Sequence, residues 1–78
     1  MQVQLVGVQN INFTNQNGEK ISGKNLYVLY VDENVEGFRT DKFFLKEGIA
    51  LPKDAKLNDN LDLSFNHKGK IEAVYKAN

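Results

Sequence analysis

The sequence predicts an all-β domain, a small five-stranded barrel without a substantial helix. Three observations carry this expectation. No segment of useful length repeats its apolar residues at helical spacing. The apolar positions fall instead in short runs that alternate at period two, and clusters of Gly, Asn and Asp separate those runs with turn chemistry.

The first run, "VQLVGVQNINF" at residues 3 to 13, sets Val3, Leu5 and Gly7 against Val6 and Val8. Gly7 stands where a bulge or sharp bend would let one strand serve two sheets. The following "TNQNGEKISGK" holds Asn17-Gly18, the preferred pair for a tight hairpin turn because both residues tolerate positive φ, so a β-arm is expected here. The second strand, "KNLYVLYVD" at residues 24 to 32, is apolar on both faces: Tyr27, Leu29 and Val31 on one, Leu26, Val28 and Tyr30 on the other. Either protein covers both faces, or one is kept free for a flat, partly apolar ligand. We place Val28, Leu29 and one neighbour in the core, with Tyr27 and Tyr30 competing for the exposed role and Tyr27 favoured.

"ENVEG" turns the chain into "FRTDKFFLK", residues 38 to 46, where Phe38, Thr40, Lys42 and Phe44 share one face and Arg39, Asp41, Phe43 and Leu45 the other. The long connection "EGIALPKDAKLNDN" supports at most one helical turn, because Gly48, Pro52 and its asparagines interrupt it. In the last hairpin Leu61, Leu63 and Phe65 alternate with Asp62, Ser64 and Asn66, and "NHKGK" leads into "IEAVYK"; one wet face is expected there. Five strands in one linker-free domain spanning residues 1–78 favour a barrel, since two open sheets would leave long edges unpaired. The candidates are an oligonucleotide-binding-type barrel and an SH3-like barrel. The long first strand with its glycine and the long connection before the fourth strand favour the former.

A chain of 78 residues buries only about 60 to 65% of the surface its unfolded form exposes, so a large internal active-site cavity is not expected. There is no cysteine, which points to a reducing compartment and excludes thiolate metal sites. "MQVQLVGVQN" reads as neither a signal peptide nor a membrane span, and a soluble cytoplasmic protein is expected. Ten Lys plus Arg balance ten Asp plus Glu. Zero net charge counts modestly against nucleic-acid binding, but the acids gather in "DENVE" and "KDAKLNDNLD" while residues 20 to 30 hold two lysines and no acid. That segregation permits a positive face on a neutral molecule.

Catalysis finds little support. His67 is the sole histidine and lies in a predicted turn, without the orienting partner of a general base or the co-ligands of a zinc site. Asp54, Asp59 and Asp62 lack the glycine and closing glutamate of a calcium loop, and no glycine-rich cradle precedes a helix. We therefore expect no enzyme activity, no metal and no cofactor. For binding, aromatic and basic residues interleave between positions 20 and 44, the combination that holds single strands by base stacking and phosphate contact. Phe13, Phe43 or Phe44, and Phe65 are assigned to the core; the plain alternatives for the other rings are that they fill it too, or that the surplus apolar face forms a dimer interface.

These residues resemble the single-stranded-DNA-binding protein of filamentous phages. The shared anchors run in order along nearly the full chain: "FT" at Phe13 and Thr14, Gly18, "GK" at Gly23 and Lys24, "YVD" at Tyr30 to Asp32, Lys42 with Leu45, "EG" at Glu47 and Gly48, and "LSF" at Leu63 to Phe65. The resemblance implies a helix-less oligonucleotide-binding-type barrel and a cytoplasmic homodimer that coats single strands during DNA replication of a phage or mobile element in a bacterial host. It implies base stacking by Tyr27 and Tyr30 and a phosphate contact by Lys42. The chain departs from the family where arm arginines are replaced by Gln16 and Ile21, and where a shorter last hairpin puts His67 and Lys68 nearest its tip. The expected DNA-binding set is Tyr27, Tyr30 and Phe38 for stacking, with Lys20, Lys24, Arg39 and Lys42 for phosphates. Single-stranded RNA is an open second ligand, and an SH3-like module that takes an extended peptide is the alternative.

Overall fold

The computed structural model describes residues 1 to 77. They form five strands, β1 (Gln2–Thr14), β2 (Lys20–Val31), β3 (Phe38–Lys46), β4 (Asn60–Phe65) and β5 (Ile71–Lys76). All neighbours are antiparallel, and the single sheet runs β3-β2-β1-β4-β5. β3 and β5 approach one another without sharing a ladder, so the expected five-stranded all-β fold is present as a barrel-like sheet open at one seam. Among the described residues no helix forms, and so none is long and apolar enough to cross a membrane.

β1 organises the sheet. Val3 pairs with Leu61 of β4, and Leu5 with Val28 of β2; all four side chains are buried. Between Leu5 and Gly7 the register shifts, as expected from the glycine, and the extra residue reverses which side of the strand each odd position occupies. Beyond the bulge Gly7 pairs with Tyr27, and Phe13 with Ile21, on the outer side. Phe13 is therefore 53% exposed, a correction to the expectation that it fills the core.

On β2 the inward side is Leu26, Val28 and Tyr30, and the outward side is Tyr27, Leu29 and Val31. Leu29 is half-buried outside the core, because a strand cannot turn two consecutive side chains to the same face. The same rule separates Phe43, packed on the core, from the exposed Phe44. Phe43 meets Phe65 edge-on, with ring centroids 5.4 Å apart and planes at 61°. This contact joins β3 to β4 where no backbone ladder does, and such a pair adds about 0.5 to 1.5 kcal/mol beyond its buried area.

The β1–β2 and β4–β5 hairpins use one turn design. In "NQNGE", Asn15 N donates to Glu19 O (2.9 Å), Gly18 N donates to Asn15 O (3.1 Å), and Asn15 Oδ1 accepts from the amides of Asn17 and Glu19. "NHKGK" repeats every one of these bonds from Asn66 to Lys70. Each is a three-residue loop closed by a glycine at positive φ, 81° at Gly18 and 78° at Gly69. Asn17 does not share the positive φ that a two-residue turn would demand, because the loop has one residue more than that turn.

The connection between β3 and β4 forms no helical turn; Ile49, Leu51 and Ala55 pack over the core instead. Its end is stitched to β1, with Asn58 N donating to Leu5 O (2.6 Å) and Leu5 N donating to Asp59 O (2.9 Å). Lys76 Nζ holds the same segment to β5 through Asp54 (3.1 Å) and Asp59 (3.6 Å).

Leu26 is fully buried at the centre of this core. Leu26→Ala should cost about 2 to 5 kcal/mol, a large part of the stability of so small a domain, and lower the urea midpoint without changing the slope.

Candidate nucleic-acid interface

The ladder of β1, β2 and β3 assigns the sequence-predicted residues to two sides. Tyr27 pairs with Lys42, and Val31 with Phe38, so Tyr27, Phe38 and Lys42 share the outer face. Lys20, Lys24, Tyr30 and Arg39 occupy alternate positions on the opposite side. The two tyrosines are thus separated by the pleat, and Tyr27 is the exposed one.

Tyr30 and Arg39 are occupied with each other and with acids. The Tyr30 ring packs on the core, its hydroxyl donates to Asp41 Oδ2 (3.2 Å), and the Arg39 guanidinium carbon lies 5.9 Å from the ring centroid. Arg39 Nη1 also pairs with Asp32 Oδ2 at 2.9 Å, holding the two ends of the β2–β3 connection together. Burial raises the Tyr30 pKa, partly opposed by Arg39. The Asn34 amide, followed by Arg39, holds the Asp32 carboxyl below its ordinary value.

The outer face is built differently. Tyr27 of β2 lies over Gly7 of β1, where an added Cβ would stand 3.4 Å from the ring's Cδ2, and its hydroxyl donates to Gln9 Oε1 (2.8 Å). Phe44 of β3 lies over Gly23 of β2; there an added Cβ would meet the Leu45 carbonyl oxygen and come 2.6 Å from the ring's Cζ. Twice, then, a missing side chain on one strand lets a ring from the next strand lie close to the sheet. Tyr27 remains 38%, Phe44 43% and Phe38 60% exposed. Lys42, Phe44 and Lys46 follow at alternate positions on the same side of β3, so cations flank the second ring.

Across the open seam, a groove of about 640 Å³ continues from Lys42, Phe44 and Lys46 to Lys68 and Lys70 at the β4–β5 turn. These four lysines take part in no ion pair among the described residues, and the groove's one acid, Glu72, accepts a hydrogen bond from Ser64. A chain of zero net charge therefore concentrates unneutralised cations at one place. His67 is exposed at the tip of that turn. Among the described residues no group of His, Asp and Glu is placed to hold a metal ion, and Asp54 and Asp59 face Lys76.

Lys46, Lys68 and Lys70, and the outward turn of Phe44, are the parts of this surface that the sequence reading did not select. The signal for Phe44 and Lys46 was present, since both continue the alternation of Phe38, Thr40 and Lys42. Lys68 was marked only as a residue nearest the hairpin tip and nothing local marked Lys70; both reach the groove because β3 and the last hairpin meet across the seam. No protein-family model matches the chain, and no curated protein or solved structure matches it.

The Asp32 shift has a definite consequence for acid stability. Its folded pKa lies below the unfolded value of about 3.9, so the unfolded state binds the proton more readily; the contribution is complete above that value and is lost as pH falls through the folded pKa. Thermal midpoints measured from pH 6 down to pH 2 should show Asp32→Asn losing less stability on acidification than the parent chain.

Proposed function

We propose that the protein binds single-stranded DNA without strong sequence preference, through the outer face of β1, β2 and β3. The observation that carries this reading is the pair of rings, Tyr27 and Phe44, each lying over a strand glycine beside free lysines. Rings held close to a sheet offer bases a stacking surface, and lysines along the strand's path meet the phosphates. Phe38 extends the platform at one end of β3, and Lys42, Lys46, Lys68 and Lys70 supply the charge. In this reading Tyr30 and Arg39 brace the β2–β3 hairpin rather than touch bases, and Lys20 and Lys24 meet the strand only if it wraps around the arm.

An oligonucleotide-binding-type barrel uses the face of its second and third strands, flanked by the first and last hairpin loops, for such ligands, and the rings and lysines here occupy that region. The resemblance to the filamentous-phage proteins extends the proposal to a homodimer acting in DNA replication of a phage or mobile element, in a bacterial cytoplasm. Sequence tolerance follows from stacking, because every base has a π-face and no base-edge pairing is required.

Titration of oligo(dT) at low salt should quench tyrosine fluorescence, with affinity falling between roughly 50 and 200 mM salt. Tyr27→Ala and Phe44→Ala should each cost about 1 to 3 kcal/mol of binding, whereas Tyr30→Phe should leave affinity unchanged. Lys42→Gln should lower the salt slope by about one. Unchanged fluorescence together with no mobility shift at micromolar protein would sink the proposal. Binding of an extended peptide, with no response to DNA, would favour the interaction-module reading instead.

A further inference from the structure

On the side of the arm turned away from Tyr27 lies a second feature, a cleft that shares only Lys46 and Ile49 with the groove beside Phe44. Asn10 pairs with Lys24 and Asn12 with Ser22, which places two amides, a hydroxyl and an ammonium group on one patch. Asn is poorly suited to strand interiors, because its side chain competes for backbone hydrogen bonds, yet β1 carries two at alternate positions. The side-chain hydrogen bonds and ion pairs of the described residues leave all four of these groups without a partner. Local choices that conflict with the fold tend to mark functional positions.

Facing the patch, the connection between β3 and β4 turns Leu51, Pro52 and Ala55 toward the same cleft, whose volume is about 750 Å³. That size lies within the range of roughly 300 to 1,000 Å³ usual for small-ligand sites. Glu47 stands at the rim, and its amide donates to Ser22 O (3.3 Å), which ties the loop to the arm. The loop wall is apolar at Ile49, Leu51, Pro52 and Ala55 and charged at Lys46 and Glu47; the arm wall donates and accepts hydrogen bonds and carries Lys24.

A nucleotide divides its chemistry in the same way. Its ring has an apolar face, its base edge alternates donors and acceptors, and its phosphate is anionic. A side-chain amide, which accepts and donates side by side, matches the N6 and N7 positions of adenine, whereas guanine shows two acceptors there. An extended peptide would also alternate donors and acceptors, but its backbone offers nothing anionic to Lys24. We propose that the cleft beneath the arm is a nucleotide site that takes adenine best. Asn10 and Asn12 read the base edge, Leu51 and Pro52 cover the ring, and Lys24 meets the phosphate. The occupant is either a free adenine nucleotide or one unpaired adenine of a bound strand, and the second source rests on the function proposed above.

The test is an NMR titration of the full chain, ¹⁵N-labelled, with AMP, GMP and adenosine, and separately with oligo(dA) and oligo(dT). AMP should shift the side-chain amide signals of Asn10 and Asn12 and the backbone signal of Leu51, and GMP should bind about tenfold more weakly or worse. Asn12→Ala should weaken AMP about tenfold. Lys24→Gln should weaken AMP but not adenosine, and Tyr27→Ala should change neither. Preserved dispersion of the remaining signals shows that each variant is folded, and Asn12→Ser offers a milder replacement at the same exposed position. Cleft signals that move with oligo(dA) beyond their response to oligo(dT) identify the strand as the source; cleft signals that move with AMP alone identify the free nucleotide. Absence of shifts at millimolar AMP, or shifts confined to Tyr27 and Phe44, overturns the proposal. Oligo(dT) binding on the outer face with a silent cleft removes this inference and leaves the strand-binding reading standing. AMP in the cleft with no response to any oligonucleotide does the reverse.

Discussion

The shift in register between Leu5 and Gly7 is the constraint on which the rest of the molecule depends. One additional residue in β1 lets a single strand serve two purposes in succession. Its first part faces inward, burying Val3 and Leu5 against β4 and β2. Its second part, with the opposite alternation, becomes one side of an arm whose outward positions carry Gly7, Gln9 and Phe13. Without the shift, Gly7 would not lie beneath Tyr27, and Gln9 would not reach its hydroxyl. The bulge therefore positions the first ring of the candidate interface as well as ending the core.

Charge follows the same geometry. Asp32, Asp54 and Asp59 face Arg39 and Lys76, where they brace loops. The lysines at 42, 46, 68 and 70 stay outside that arrangement and converge at the seam where β3 and β5 do not pair. Exposed ion pairs are individually weak, so the larger effect of this distribution is on the field outside the protein rather than on stability. An open seam also leaves room that a closed ladder would occupy, and the groove beside Phe44 lies there.

Much of the fold was legible in the residues. Period-two alternation placed all five strands, and Gly7 marked the place of the register shift, although Gly23 shows that a strand glycine can serve close packing without a bulge. The errors share one cause. Alternation assigns residues to two sides but does not say which side is inside, and any bulge reverses the assignment downstream. Phe13, expected in the core, lies beyond the bulge on the outer side, and Leu29 was grouped with a neighbour that the pleat separates from it. Tyr27 and Tyr30 were distinguishable as lying on opposite faces, and the favoured one, Tyr27, is exposed.

By itself the sequence determined strand number, turn positions and the opposition of Tyr27 to Tyr30, because these follow from local periodicity and from the conformational freedom of Gly and Asn. Only the tertiary structure decided which cations stay free and which are paired, since Arg39 meets Asp32 and Lys76 meets Asp54 through side-chain reach that strand alternation does not report. It alone brought Lys68 and Lys70 beside Phe44, and Asn10 and Asn12 opposite Leu51. Those juxtapositions join segments far apart in the chain, and they arise from how the sheet curls toward an open seam, a property of the whole set of ladders rather than of any one run of residues.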